Sequence, residues 1–548
     1  SLSETGSPLL ANDPHLPLQA PSLWYEVHIV APGIDVMGVS FPGIPGFVLG
    51  HGDHVAWGMT AAAYDVMDFF VEQVNPDNDS QYWYNGAWRD FEIVDETIHT
   101  KDAGDIAFDV KCSVHGPCID SVMGTYNLDS TDTPNIAMNW TGLDITHEML
   151  ALLLLNKAKN ITDYYDALYW WDSPPHNFIY ADDEGHIAIT AAGRYPLRTG
   201  YIGDLPIQAL NDSVGMLSNI PYAYIPRSVD PSQGYLQSAN QRSYDPETYG
   251  YDVIGPYATG YRGRRINYLL NSSSSVSIDD MKKWQADSVD VSAQEIVPFV
   301  IDAWNAPGNN NATVQIAVDW LSDWDFSMEI DIQAPTLWRF LVDALKYEIF
   351  DELRATPNAN LRMPTTPVLE RVIKENETNY LDDQSTGNLE DRDEILTRAL
   401  YRALDEMAAD LGSNMSNWNY GNFHVIHFDH LASLTVIGGG PHRGWNTLNR
   451  AVSYWDSDVG QWRIVAGPSW RMVIDMGDIE HAYGVYTAGQ SGNMFSQHWD
   501  DIFDLWYAYD EETEQYGYHL MHFYPTPTSI AAADLSKHFV KRTITFVP

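Results

Sequence analysis

The spacing of hydrophobic residues divides the chain into three parts, of which the first predicts mainly strands. Apolar and polar residues alternate along Trp24–Val30, Ile106–Val114 and Ile187–Ala192, as in strands with one buried face. Two segments of this part, Thr146–Lys159 and Asp163–Trp171, carry helical spacing instead. Up to residue 210 or so, we therefore expect sheets accompanied by one pair of helices.

The middle of the chain, residues 278–412, carries apolar residues at helical spacing, and Gly412 supplies a stop after the last helical segment. The predicted helices are Asp279–Ala286, Ala293–Trp304, Thr336–Arg354 and Glu394–Leu411. Strand patterns then return from residue 422. They are Phe423–Phe428, Ser433–Ile437, Trp462–Val465 and Ser469–Ile474.

This succession of strands, helices and strands is typical of an α+β fold rather than of alternating βαβ units. We therefore expect a mainly β-sheet core formed by residues 1–277 and 413–548. Residues 278–412 would form a helical insertion in that core.

The balance of charges changes the picture of the surface. The chain has 75 acidic and 30 basic residues and a formal net charge of -45, whereas a nucleic-acid-binding protein needs a basic surface. Its hydrophobic content of 45% excludes disorder. A surface of carboxylates repels itself until molar salt shortens the Debye length to about 3 Å. We predict a halophilic protein, the alternative being an acidic secreted enzyme.

Two further features concern the compartment. The longest apolar run, Met149–Leu155, is too short to span a bilayer. Cys112 and Cys118 flank a predicted hairpin loop, Ser113–Pro117, that could bring the two sulfurs together. A disulfide there would indicate an oxidising, extracytoplasmic or secreted setting, and two thiols are the alternative.

Two segments carry the candidate chemistry. Pro8–His15, PLLANDPH, predicts a strand that runs into a tight turn, because Pro14 fixes the local backbone. Phe47–Phe70 predicts two strands joined at a hinge, and it contains GHGDHVAWGMT. Its small residues Thr60–Ala63 let other groups approach the backbone closely.

Further motifs recur beside these two segments, and together they resemble the β chain of penicillin acylases. These are N-terminal-nucleophile amidohydrolases that also include the acyl-homoserine lactone acylases. The motifs are SLWYEVH at Ser22–His28, GVSFPGIPG at Gly38–Gly46, NFIYADDEG at Asn177–Gly185, GRYP at Gly193–Pro196, SAN at Ser238–Asn240, GYRGRRI at Gly260–Ile266, GPSWRMV at Gly467–Val473 and GQSGNMFSQH at Gly489–His498.

The resemblance covers nearly the whole chain and implies a single penicillin-acylase β-chain domain, residues 1–548. Its fold would have four layers, αββα, with two antiparallel sheets between helical layers and the helical insertion at one end. The resemblance also implies autoproteolytic processing and a heterodimer with an α chain from the same precursor. The substrate would be a small molecule with an N-acyl amide bond.

The family's nucleophile is an N-terminal serine whose own α-amine, with a pKa of about 8, acts as the base. This chain opens with Ser1, but in the family a full strand separates the nucleophile from the PLLANDPH strand. Here only Ser1–Ser7 precedes it, which reads as a turn. We expect the nucleophile upstream of this sequence. The alternative is a shortened first strand that delivers Ser1.

Three residues match the family's catalytic positions. His15 would position the α-amine, or else be a turn histidine bonded to backbone. The resemblance implies that the backbone N–H of Ala61 is one donor to the oxyanion. The side-chain amide of Asn240 would be the second donor, although an asparagine in a loop is ordinarily a turn former.

Arg262 matches an arginine that holds the asparagine loop, and Arg264 or Arg265 could be the true match instead. Leu16 and Leu49 match positions that line the acyl pocket, where leucines would suit an aliphatic acyl chain. Simple core packing would explain these leucines equally well.

The resemblance also implies a structural calcium site. Asp65, Asp68 and Asp252 match its carboxylates, and the carbonyls of Met67 and Pro196 match further ligands. Oxygen ligands with negative charge suit calcium. In so acidic a chain, the alternative is solvated surface carboxylates.

Together these features predict an amidohydrolase that cleaves a linear N-acyl amide of the penicillin or acyl-homoserine lactone type. Two alternatives remain open. Aromatic residues make up 13% of the chain and many aspartates accompany them, which would also suit a carbohydrate-active protein. The other alternative is a non-catalytic binding protein with the acylase fold.

Overall fold

The computed structural model describes residues 2–119, 135–355, 362–383, 386–387, 389–432 and 437–521. Ser1 lies outside these residues, and so does most of the strand predicted at Ser433–Ile437. Ile437 itself begins a strand, Ile437–Pro441.

The largest sheet, sheet A, has seven antiparallel strands. From edge to edge they are Arg227–Val229, Ile187–Ala192, His176–Asp182, Val55–Ala61, Leu49–Gly52, Ile34–Ser40 and Tyr25–Ala31. The hinge predicted within Phe47–Phe70 is present, since Leu49–Gly52 and Val55–Ala61 are adjacent antiparallel strands. A third strand, Met67–Val71, follows them and pairs with Ile136–Trp140.

Two more sheets meet at the predicted turn. Sheet B orders Leu9–Asn12, Trp470–Asp475, Tyr483–Tyr486 and His519–Leu520. Sheet C orders His15–Pro17, Gln461–Pro468, His424–His430 and Ile437–Pro441, with Val452–Asp456 and Gln19–Ala20 as side branches. Ser469 N–H donates to Pro14 O at 3.0 Å. The segment around Pro14 and the segment around Ser469 therefore pass between sheets B and C at the same place.

The remaining pairings lie outside these three sheets. They are Val74–Asn75 with Asn78–Tyr84 and Ala87–Asp90, Glu92–Thr100 with Gly104–Ser113 and Gly116–Pro117, Pro196–Thr199 with Gly215–Asn219, and Tyr509–Asp510 with Gln515–Tyr516.

Most helices lie in the middle of the chain, as predicted. The α-helices are Glu148–Leu155, Ile161–Leu168, Tyr261–Asn271, Ile278–Gln285, Val291–Trp304, Ala312–Ser322, Ala334–Ile349, Asp351–Ala355, Thr366–Glu375, Thr378–Leu381, Arg392–Leu411 and Phe503–Tyr507. Those from Val291 to Leu411 share one hydrophobic cluster, and Gly412 follows the last of them at φ +85°. In the described part of the chain, each helix is too short or too polar to cross a bilayer. The division of the chain into a core and an insertion stays a prediction.

Helices cover the outer faces of sheets A and B. Glu148–Leu155 and Ile161–Leu168 share a core with sheet A, and Ile278–Gln285 packs on sheet B, where Gln285 donates to Met472 O at 3.4 Å. Sheets A and B lie against each other in that same core. The order is therefore helix, sheet, sheet, helix, which confirms the predicted α+β fold.

Asn12 joins sheets A and B at a point of close approach. Its amide donates to Met59 O and accepts from Met59 N–H, both at 3.2 Å. A Cβ at Gly58 would lie 2.8 Å from Asn12, so only glycine fits beneath this contact. The motif PLLANDPH thus holds the start of sheet B against the strand that ends at Ala61.

The predicted hairpin at Ser113–Pro117 is present, but its register separates the two cysteines. Cys112 lies opposite Pro117, and Cys118 N–H donates to Lys111 O at 2.7 Å. Because successive side chains of a strand project from opposite faces, the two sulfurs lie on opposite faces of the hairpin. Both are thiols rather than a disulfide. The compartment stays a prediction.

Candidate active site

The strand Val55–Ala61 ends with a backbone group that faces out of sheet A. In antiparallel strands, hydrogen-bonded and non-hydrogen-bonded residue pairs alternate. Ala62 N–H donates to Pro175 O at 3.1 Å, so the neighbouring pair, Ala61 and His176, is the non-hydrogen-bonded kind. Both the N–H and the C=O of Ala61 therefore point away from the strand His176–Asp182.

Asn240 meets Ala61 on that side. Its Nδ2 donates to Ala61 O at 3.1 Å, and its backbone adopts the left-handed φ of +65° that asparagine tolerates in a turn. Arg262 donates to Asn240 Oδ1 at 2.9 Å and to Ala239 O at 2.9 Å. Because the guanidinium can only donate, it directs the amide nitrogen of Asn240 towards Ala61 and leaves one N–H for a further acceptor.

Arg262 is the arginine that holds the asparagine loop, and its two neighbours have other partners. Arg264 contacts Glu295 at 3.0 Å, and Arg265 contacts Asp287 at 2.6 Å. Both acceptors of Arg262 are neutral oxygens. Burial, reinforced by the nearby charge of Arg450, lowers the pKa of Arg262 to about 10.

His15 begins the strand His15–Pro17 of sheet C, near enough for the charge of Arg262 to act on its ring. Its Nε2 is 3.2 Å from Asp13 Oδ2, and its side chain is 10% exposed. Burial lowers the pKa of the ring, so His15 is neutral at neutral pH. It is a turn histidine bonded to a side chain and, at the same time, part of the wall of the cavity described next.

One cavity of about 1180 Å³ brings these groups together. All six residues predicted for catalysis and acyl binding line it: His15, Leu16, Leu49, Ala61, Asn240 and Arg262. Pockets for small molecules are typically ~300–1,000 Å³, so this space is large enough for an extended substrate. Sheets A, B and C and the loop before the helix Tyr261–Asn271 all contribute to its wall.

Arg450 also lines the cavity and is half-buried, and no motif in the sequence pointed to it. A polar network behind Asn240 also went unnoticed. Asn177 donates to Thr60 Oγ1 and Ser238 Oγ at 3.3 Å each, and Ser243 donates to Asn177 Oδ1 at 2.8 Å. The motifs NFIYADDEG and SAN contain parts of this network, and they were its signal.

The residues expected to bind calcium lie outside the lining of this cavity. Asp65 and Asp68 are close together, but the guanidinium of Arg198 lies between them, 3.3 Å from an Asp65 carboxylate oxygen and 3.0 Å from one of Asp68. A positive side chain thus stands where the cation was expected. These residues do not fit a calcium ion in this arrangement.

The other three expected ligands have different settings. Met67 N–H donates to Asp65 Oδ1 at 3.2 Å, Pro196 begins the strand Pro196–Thr199, and Asp252 is exposed. Among the residues that the structure describes, no group of three or more histidine, cysteine, aspartate or glutamate side chains could hold a metal ion.

Comparison with known proteins settles the family. The family model described as penicillin amidase matches residues 1–514. The chain belongs to the penicillin amidase family. This agrees with the resemblance seen in the sequence motifs.

The curated proteins that are similar in sequence to this chain include two acylases. The chain is 27% identical over 552 residues to the acyl-homoserine lactone acylase QuiP of Pseudomonas aeruginosa, covering 92% of this chain and 64% of that protein. It is 26% identical over 336 residues to the penicillin G acylase of Escherichia coli, covering 59% and 38%. The chain thus spans less than two thirds of the length of these relatives.

A solved structure shows the same fold. The thermostable penicillin G acylase from Alcaligenes faecalis superimposes with a TM-score of 0.74 at 21% identity, covering 100% of this chain and 98% of that one. At this identity the match shows that the two chains share a fold.

Proposed function

We propose that this chain is the catalytic β chain of an amidohydrolase that cleaves linear N-acyl amides of the penicillin or acyl-homoserine lactone type. One observation carries the proposal: Asn240 contacts Ala61, and both residues line one cavity together with His15. Membership of the penicillin amidase family and the names of the curated relatives support it.

In this proposal, the Ala61 N–H and the Asn240 amide stabilise the negative oxygen of a tetrahedral intermediate. A donor of this kind typically contributes ~10²–10³ in rate. Arg262 keeps the amide nitrogen of Asn240 turned towards the site and adds positive charge nearby. His15, neutral and buried, would position the α-amine of the nucleophile.

The nucleophile is proposed to be a serine that precedes Leu2. Leu2 lines the cavity, and Val276 N–H donates to its carbonyl at 2.8 Å, which supports a nucleophile close to this cavity. A serine upstream of this sequence is our expectation, with Ser1 as the alternative. Its hydroxyl attacks the acyl carbon, the amine leaves, and water then hydrolyses the acyl-enzyme.

Leu16 and Leu49, which line the cavity together with Leu152 and Met59, support the proposal of an aliphatic acyl group. The lining also includes aromatic side chains, among them Trp24 and Phe41. Met149 of the helix Glu148–Leu155 also lines the cavity, yet this side chain is 42% exposed. An α chain from the same precursor would cover this helix and complete the acyl pocket.

The carbohydrate alternative finds less support, because the carboxylates in the described cavity wall are already engaged. Asp13 binds His15, Glu148 accepts from Ser173 N–H at 2.6 Å, and Asp230 binds His186 at 2.7 Å. None of them is left as a separate acid or base for glycoside cleavage.

The surface suits a protein that works in high salt, and we propose an extracytoplasmic or secreted location. The net charge of -45 supports the first point. The location is proposed by analogy with the family.

The test is an assay of the processed αβ protein in molar salt. N-acyl-homoserine lactones and N-acyl β-lactams of increasing acyl length are supplied, with a nitrophenyl glycoside as the control substrate. We expect release of free amine from aliphatic acyl amides and no sugar release. If none of the acyl amides is cleaved, the non-catalytic alternative is favoured. N-terminal sequencing of the mature chain would identify the nucleophile.

A further inference from the structure

The guanidinium of Arg198 is bound by oxygens from two aspartates. Its Nε lies 3.1 and 3.0 Å from the two carboxylate oxygens of Asp68. Its Nη2 lies 3.1 Å from the Asp65 backbone carbonyl and 3.3 Å from an Asp65 carboxylate oxygen. The side chains of Arg198 and Asp68 are only 4% and 1% exposed.

A loop closes over this ion pair. Tyr201 donates its hydroxyl to Asp68 Oδ2 at 2.5 Å. Gly203 adopts a left-handed φ of +93°, and a Cβ there would lie 2.4 Å from Arg198 Nε and 2.8 Å from Asp68 Oδ1. The loop backbone therefore touches the pair directly, which leaves no space for a second cation with its shell of ligands.

Arg198, Asp65 and Asp68 form a cluster whose opposite charges stabilise one another. Burial alone would lower the pKa of Arg198, but the hydrogen bond and charge of Asp68, together with Asp65, outweigh burial and raise it. Calcium takes six to eight oxygen ligands. The oxygens that two of the expected ligands offer here are taken up by Arg198.

The cluster is connected to both halves of the candidate oxyanion site. Asp65 follows Ala61 by four residues along the chain. Asp65 N–H donates to Ile254 O at 2.9 Å, and Ala258 N–H donates to Asn240 O at 2.9 Å. The short segment Ile254–Ala258 thus joins the ion pair to Asn240.

We propose that the Arg198 guanidinium takes the place of a structural cation, so that this acylase is held together without calcium. Arg198 is a positioning residue, since it contacts neither the cavity nor its candidate catalytic groups in the described structure. It fixes the segment after Ala61, and through residues 254–258 it supports the loop of Asn240.

The first test uses the unmodified processed protein and does not depend on its activity. Its metal content is measured by elemental analysis, and its Tm is measured in molar salt with a chelator and with excess calcium. We expect no stoichiometric calcium and the same Tm in both conditions. A stoichiometric calcium ion, or a Tm that falls in the chelator, would overturn the proposal.

The second test compares Arg198→Gln with Arg371→Gln. Arg371 also forms an ion pair with a carboxylate, that of Glu377 at 3.2 Å, but its side chain is 56% exposed. Removing one partner of a buried pair is strongly destabilising, whereas an exposed pair contributes little. We expect Arg198→Gln to lower Tm by several degrees, Arg198→Lys to lower it less, and Arg371→Gln to leave it unchanged. Equal Tm values for Arg198→Gln and Arg371→Gln would contradict the proposal.

Discussion

Two arginines of this protein have enclosed side chains but partners of different charge. Arg262 donates to a side-chain amide and a backbone carbonyl, both neutral, and its pKa is lowered to about 10. Arg198 donates to two carboxylates, and its pKa is raised. The carboxylate partners of Arg198 raise its pKa against the effect of burial, and Arg262 has no such partner.

The comparison separates a functional from a structural use of arginine. A guanidinium without a bound carboxylate leaves a positive field in the cavity, where a negative oxygen is proposed to form. A guanidinium between two aspartates has its charge compensated and stabilises the fold instead. Burying Arg262 without a carboxylate partner costs desolvation energy, whereas the aspartates beside Arg198 offset that cost.

The largest effect on activity is expected at the residue that Arg262 orients. Asn240→Ala removes one proposed oxyanion donor and should lower kcat by ~10²–10³ with little change in Tm. Asn309→Ala is a matched control, because Asn309 also donates to backbone carbonyls, those of Ala303 and Trp304, but in the helical part. Steady-state kinetics would contradict the prediction if the two variants kept equal turnover.

Replacing Arg262 should affect activity more than stability. Arg262→Gln removes a hydrogen bond from a charged donor, which is typically worth ~1.5–3 kcal/mol, or roughly 10–100-fold in kcat/KM. Its Tm should change little, because a buried cation with neutral partners is lost. If Arg262→Gln lowers Tm as much as Arg198→Gln does and spares kcat/KM, the two roles have been assigned the wrong way round.

Histidines too differ in burial and in carboxylate partners, and this difference predicts how stability depends on pH. Burial lowers the pKa of His51 and His442 to about 4, whereas exposed His186 and His481 have raised pKa values beside Asp230 and Asp478. The unfolded chain binds protons at His51 and His442 near pH 6.5, but the folded chain does so only near 4. The free energy of unfolding should therefore fall between pH 6.5 and 4, by ~2 kcal/mol for each group at pH 5.

This pH effect should be measured in molar salt, where repulsion among the acidic residues is screened. Thermal unfolding at pH 7 and pH 5 provides the comparison. A Tm that stays constant or rises at pH 5 would contradict this prediction.

Salt should distinguish the surface from the buried pair, and this is the smallest expected effect. The Tm of the wild-type protein should rise with salt, because the net charge of -45 is screened. The difference in Tm between wild type and Arg198→Gln should stay the same, because screening reaches buried pairs poorly. A difference that disappears in molar salt would mean that Arg198 is solvated.

The hydrophobic patterns predicted many strands and helices well. Long-range contacts were predicted only through the resemblance to a known family. Ile187–Ala192 is a strand with the predicted bounds, and the helix predicted from Ala293 begins at Val291 because Asp290 caps it. The strand Met67–Val71 was not recognised as a separate element. Its apolar run continues the preceding segment without a clear turn signal.

The candidate site shows the same limit. His15, Ala61, Asn240 and Arg262 were found because their motifs match a family, and the fold brings them to one cavity. Arg198 stands two residues after Pro196 in the sequence, yet only the fold brings it to Asp68, 130 positions away. Spacing alone carries no information on such a pairing.

The most direct measurement is a structure of the complete protein with a phosphonate that mimics the proposed tetrahedral intermediate. We expect one phosphonate oxygen to lie ~2.7–3.1 Å from both the Ala61 nitrogen and Asn240 Nδ2, with Arg262 still bound to Asn240 Oδ1. An adduct whose oxygen faces other donors, or one that binds outside the cavity of His15, would contradict it.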